Sequence, residues 1–260
     1  MQSDSTDLDL NPGPFRFDPA EAAALGLARA RALERIEHAA RRAGRSATEI
    51  MLVAVSKTVP PARLRAAVAA GLDTLGENRV QEALAKMDEV AGATWHLVGP
   101  LQANKARRVV ERFGLVQTVD GTTLAERLSR LSAEIRPGRP LPVLIQVNVD
   151  DDPTKTGFSP SDLTAALPAV LDLPDLDVRG LMTVGRLVPE SEAARPTFVA
   201  LRRLSETLRR RHPGLGPDLS MGMSDDYEVA VEEGATVVRV GRAIFGERPA
   251  AGGPGAAEAE

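Results

Sequence analysis

Residues 50 to 58 read Ile-Met-Leu-Val-Ala-Val-Ser-Lys-Thr, an apolar run of strand-forming side chains that ends in a lysine with no intervening loop. Too short for a helix, such a run reads as a strand of a parallel sheet buried on both faces. Ser56, Lys57 and Thr58 turn polar at its C-terminal end; after Val59, the pair Pro60 and Pro61 stops the strand and can open a helix. One amine therefore stands at the mouth of a sheet. On its own it could be only a solvated strand cap, the usual state of a lysine. The composition argues for more, because 32 residues are basic and only Lys57, Lys86, Lys105 and Lys155 are lysine. Arginine is the default cation of this chain. Lysine, unlike arginine, can lose its proton when desolvated and add to a carbonyl, which makes Lys57 a candidate for Schiff-base chemistry.

Around this strand the pattern alternates. A helical repeat of Leu25, Ala28, Ala32, Leu33, Ile36 and Ala40 predicts a helix over Pro19 to Arg45, with Gly44 as its stop. After Lys57 come a helix from Pro61 to Ala70, a short strand in DTLGEN, a helix over 78–91, a strand at Trp95–Gly99 and a helix over Gln102–Phe113. The second half continues with a strand at Leu115–Asp120, a helix over 122–135 and a strand at Val143–Val149. The polar loop DDDPTKTG, which holds Lys155, then leads to Ser159 and Pro160 as helix cap and first residue. Strands at Val178–Val184, Leu219–Met223 and Val237–Gly241 follow, separated by an amphipathic helix with Phe198, Leu201, Leu204 and Leu208 and by a short helix over 225–233. Eight strands alternating with helices predict an α/β fold. With no Gly-rich dinucleotide turn, a single (β/α)8 TIM barrel is favoured over a doubly wound sheet.

The 260 residues, 43% hydrophobic, suffice for one large core, and no linker divides them. A barrel domain is expected over 18–248, with a disordered leader at 1–17 and a disordered tail at 249–260. The net charge of -4 gives no global attraction to nucleic acid, and the absence of cysteine excludes disulfides and thiol chemistry. His38, His96 and His212 lack ligand spacing, so no metal site is expected. No apolar segment approaches the ~20 residues that span a bilayer, and the first residues are acidic where a secretory signal is basic. A cytoplasmic protein is expected, and, with no apolar helix stripe beyond the needs of the core, a monomer.

In a barrel the chemistry gathers at the C-terminal ends of the strands. By that criterion the candidates are Lys57, Asn78, Gln102, Asn148, Thr183, Ser220, Ser224 and Arg239. Two late segments read as an anion site: Ser220-Met221-Gly222-Met223-Ser224 after strand seven, and VRVGRAIFG, with Gly241, after strand eight. Each alone could be a helix cap and a turn glycine; together they occupy the two loops where barrels hold phosphate. Asp225 and Asp226 oppose an anion there unless they point outward. Arg239 interrupts a valine run, so it points into the barrel mouth or leaves by the sheet edge.

Lys57, Gly76-Glu77-Asn78, the run from His96 to Lys105 (HLVGPLQANK), Gly180-Leu181-Met182-Thr183, SMGMSDD and VRVGRAIFG, in this order, resemble the YggS/PROSC family of pyridoxal phosphate homeostasis proteins over residues 20 to 248. That resemblance implies a barrel like the N-terminal domain of alanine racemase, with pyridoxal 5'-phosphate (PLP) as an internal aldimine on Lys57. Asn78 would line the cofactor, Ser220, Ser224 and Gly241 would hold its phosphate, and Arg239 would face the ring nitrogen. Lys155, in a stretch matching the family's KxG, would serve cofactor loading and release. Arg242 departs from relatives that carry a small hydroxyl residue there, which favours a backbone contact to phosphate. The implied role is non-catalytic: buffering PLP or delivering it to apo PLP-dependent enzymes. The alternatives are a PLP-dependent racemase, for which Tyr227 in a helix is a poor second base, and a phosphate-binding isomerase without PLP.

Overall fold

Eight parallel strands close into a barrel in sequence order. They are β1 (Met51–Val55), β2 (Thr74–Glu77), β3 (Thr94–Leu97), β4 (Leu115–Val119), β5 (Leu141–Gln146), β6 (Leu176–Met182), β7 (Asp218–Ser220) and β8 (Val237–Val240). The computed structural model describes residues 17–185 and 188–247, so the leader and tail expected at 1–17 and 249–260 lie, apart from Phe17, outside the described residues. Around the barrel run α1 (Pro19–Arg42), α2 (Pro61–Ala69), α3 (Val80–Met87), α4 (Ala106–Arg112), α5 (Thr122–Ile135), α6 (Pro160–Leu171), α7 (Arg195–Arg211), α8 (Tyr227–Glu232) and α9 (Arg242–Phe245). Among the described residues no helix is long and apolar enough to cross a membrane.

The alternation of side chains along each strand separates two cores. Ala54, Leu75, Leu97, Val116, Val238 and Val240 face outward and pack in one cluster with Leu64, Leu128 and Phe198 of the helices. Val53, Val98 and Val237 form a second cluster inside the barrel, and Leu115, Leu144 and Met182 a third. The interior thus mixes these apolar side chains with buried polar ones, His96, Gln117, Ser220 and Arg239.

Element boundaries depart from the sequence expectation where a local feature intervenes. α1 stops at Arg42, with Gly44 at φ 66° just beyond it. β5 begins at Leu141, because Leu141 N–H already donates to Asp175 O and the pairing with β4 starts only at Val143, leaving Pro142 no missing bond on that side. β7 ends at Ser220 instead of Met223. Gly222 there takes φ 90°, and a Cβ on it would lie 2.5 Å from the Ala230 Cβ. The helix expected over 78–91 shrinks to α3, and that over 102–113 becomes a 3-10 turn followed by α4.

Gly99 marks a close approach between neighbouring strand ends: a Cβ there would stand 2.3 Å from Asn78 O and 2.7 Å from Asn78 Cα. Since those atoms are backbone, the strands must part to admit a methyl group. Gly99→Ala should therefore lower the free energy of unfolding in urea by roughly 1–3 kcal/mol, the range for overpacking, with an unchanged m-value.

Candidate functional site

The seam between β1 and β8 pairs Met51, Leu52, Val53 and Ala54 with Val237, Val238, Arg239 and Val240. One residue on, Val55 meets Gly241, where an added Cβ would be 3.4 Å from Val55 O. On the other side Val55 pairs with Gly76, so the next inward positions are Lys57 and Asn78, both half-buried. Register alone thus brings the first and last strands' candidates together. Lys57 and Gly241 line one cavity of about 150 Å³ with Val55, Pro60, Arg63 and Arg242.

The backbone beneath Lys57 is pinned from the outer face. Ser56 Oγ donates to Glu77 Oε1 at 2.7 Å, and Lys86 Nζ donates to the same oxygen at 2.8 Å, to Glu82 Oε1 at 2.8 Å and to Ser56 O at 3.0 Å. Glu82 also accepts from Thr58 N–H, holding Thr58 at φ 66°. Burial raises the Glu77 carboxyl above its ordinary range, against the pull of Lys86 and Ser56. For Glu82 the bonds from Lys86 and Thr58 together outweigh burial and lower it. The sequence reading gave this network no role. Its signal was present: Glu77 falls on the helix-facing side of a strand, and a buried carboxylate needs a cation such as Lys86.

Inside the barrel a second polar chain surrounds Arg239, which is 5% exposed and points inward. Its Nη1 donates to Ser220 Oγ at 2.6 Å and its Nη2 to Thr183 O at 2.7 Å. Ser220 Oγ lies 2.6 Å from Gln117 Oε1, and Gln117 Nε2 lies 3.2 Å from His96 Nδ1. Desolvation lowers the Arg239 guanidinium to about 10, opposed by Asp226, so it is charged at neutral pH. Desolvation, with the charge of Arg179 adding to it, lowers His96 to about 4.

Ser224 Oγ accepts from Gly241 N at 3.1 Å and Ala243 N at 3.4 Å, tying the two late loops together. Asp225 points outward and pairs with Arg242. Asp226, expected to be able to point outward as well, is instead buried, because its Oδ1 accepts from Met223 N–H at 2.6 Å and closes the loop. Burial raises its carboxyl. Of the remaining candidates, Gln102 is exposed. Asn148 braces the loop after β5, bonding Asp152 O at 2.8 Å and Asp152 N at 3.1 Å. Thr183 Oγ1 bonds Val147 O at 2.8 Å. Lys155 Nζ sits 3.5 Å from Asp152 Oδ2. Among the described residues no group of His, Cys, Asp and Glu could hold a metal ion.

The family model of the alanine racemase N-terminal domain matches residues 32–249. An alanine racemase of Clostridium difficile shares the fold at 13% identity, with a TM-score of 0.65 over 84% of this chain and 56% of that one. Much nearer is the pyridoxal phosphate homeostasis protein of Pseudomonas aeruginosa, 47% identical over 224 residues, covering 84% of this chain and 94% of the relative. The protein of the same name from Escherichia coli K12 is 43% identical over 83% of this chain and 93% of its own. PipY of Synechococcus elongatus, solved with PLP bound, is 41% identical, with a TM-score of 0.72 over 82% of this chain and all of that one. The chain belongs to the family of pyridoxal phosphate homeostasis proteins.

His96 supplies a pH test of the interior. Its imidazole takes a proton near 6.5 when unfolded and near 4 when folded, so between those values the unfolded state binds more protons. Stability should be full above pH ~6.5 and fall as pH drops toward ~4, by on the order of 3 kcal/mol in all. His96→Asn, which retains an acceptor, should flatten that part of the urea-unfolding profile.

Proposed function

We propose that this protein holds PLP reversibly through Lys57 and hands it to apo-enzymes, without catalysing a reaction of its own. The observation that carries this reading is the shared cavity: Lys57 and Gly241 line it together, and Ser224 ties the preceding loop to Gly241. The groups present fit the cofactor. A lysine suits an aldehyde, hydroxyl and backbone donors suit a phosphate, and a fixed cation suits a neutral pyridine nitrogen. When bound, PLP supplies an aldehyde for an amine and a ring that can accept electrons.

Each residue has a part. Lys57 would hold the cofactor at its aldehyde, its backbone fixed by the Ser56, Glu77 and Lys86 network. Ser224 and the Gly241 backbone receive the phosphate, and the two acidic residues beside them are already occupied, Asp225 by Arg242 and Asp226 by Met223 N–H. Asn78 would line the cofactor near Lys57. Arg239, charged at neutral pH, would face the ring nitrogen and favour its unprotonated form, which makes the ring a weaker electron acceptor.

Racemisation needs a base on each face of the substrate carbon. Lys57 serves one face. Tyr227, the only tyrosine, is buried with Arg35 of α1 5.1 Å from its ring centroid, outside the barrel, where it cannot reach the other face. PLP exchange with soluble apo-enzymes belongs in the cytoplasm.

The test is an exchange assay. Purified protein loaded with PLP should restore activity to an apo PLP-dependent enzyme while turning over no common amino acid. Turnover on the order of 1 per second or faster, abolished by Lys57→Ala, would contradict the reading.

A further inference from the structure

We propose that Ser220 is a positioning residue for Arg239, polarised by Gln117 and His96, and that it is not a phosphate ligand. The inference rests on the reading that PLP binds with its ring nitrogen toward Arg239. Its basis is the direction of each hydrogen bond in the interior chain.

A guanidinium can only donate, so Ser220 Oγ must accept from Arg239 Nη1. A hydroxyl has one hydrogen, and the other neighbour of Ser220 is the carbonyl oxygen of the Gln117 side chain, at 2.6 Å. That hydrogen therefore goes to Gln117. The amide nitrogen of Gln117 can only donate in turn, so His96 Nδ1 accepts and the imidazole proton sits on Nε2. A neutral imidazole is required at the end of this chain, and the low value of His96 agrees. Polarity thus runs one way, from Arg239 through Ser220 and Gln117 to His96, fixed by a donor that cannot reverse.

Two consequences follow for the SMGMS loop. Ser220 has no hydrogen left for an anion and would present phosphate with lone pairs. Ser224 is the reverse case: its oxygen accepts from the Gly241 and Ala243 N–H groups, which leaves its own hydrogen to donate. The two serines of one loop therefore serve opposite ends of the ligand. With Thr183 O as its second anchor, on the residue after β6, Arg239 is held at two points from two neighbouring chain segments.

The test compares dissociation constants for PLP and for pyridoxal, which lacks the phosphate, together with the absorption band of the bound ligand and its pH dependence. Ser220→Ala should weaken both ligands by the same factor, about 2- to 13-fold for one lost hydrogen bond, and should shift the band. Gln117→Leu, which alters no proposed ligand contact, should give the same spectral change, and Ser220→Thr should restore the native spectrum. Ser224→Ala should weaken PLP more than pyridoxal. Nitrogen NMR of the ligand-free protein at neutral pH should find His96 Nδ1 unprotonated, and Nδ1 protonated would overturn the inference without reference to any ligand. A Ser220→Ala protein that loses affinity for PLP but keeps it for pyridoxal would also overturn it, while the functional reading stands. A wild-type protein that takes up neither ligand would overturn both.

Discussion

The parallel ladder between β1 and β8 is the contact on which the site depends. It closes the barrel, and because it pairs residues 51–54 with 237–240 it also sets Lys57, near the start of the chain, against Gly241, near the end of the described residues. A slip of one residue would turn Lys57 toward the helices and Arg239 out of the interior. Closure and chemistry are therefore one constraint.

Two polar networks, one on each face of the sheet, make that placement rigid. Outside, the Glu77–Lys86 pair is costly to bury. Once buried, removing one partner would cost about 3–5 kcal/mol, so the pair stays and its hydrogen bonds to Ser56 fix the strand end. Glu82, the second partner of Lys86, supports Thr58 in a left-handed conformation, a strain of roughly 1–3 kcal/mol for a residue other than glycine. Inside, Arg239 is a permanent charge in an apolar cylinder, made tolerable by Ser220 and Thr183 O. One network fixes the strand end at Ser56, beside Lys57, and the other fixes Arg239 inside the barrel.

Much of this was legible in the sequence because strands of a parallel barrel are short apolar runs with polar ends. Lys57 and Asn78 stand just past such an end, Ser224 follows a few residues after another, and Arg239 lies within its strand, buried in the interior. The interior chain was not legible, since His96, Gln117, Ser220 and Arg239 come from four strands, with up to 103 residues between bonded neighbours. No local pattern announces that closure. The short β7 was hidden by the apolar Met221 and Met223, which continue the strand pattern although Gly222 turns the backbone between them. The burial of Asp226 was hidden for a related reason: a carboxylate in a first helical turn usually faces water, and here the loop folds over it to satisfy Met223 N–H.

The central claim is that one amine, placed by the β1–β8 seam, carries the cofactor. Four lysines are available to report on it, and Lys86 is already held by Glu77 and Glu82. Borohydride reduction of the PLP-loaded protein, followed by peptide mapping, tests the claim directly. The account predicts a single phosphopyridoxyl adduct on the peptide bearing Lys57; an adduct on Lys86, Lys105 or Lys155 in its place, or none on any lysine, would contradict it.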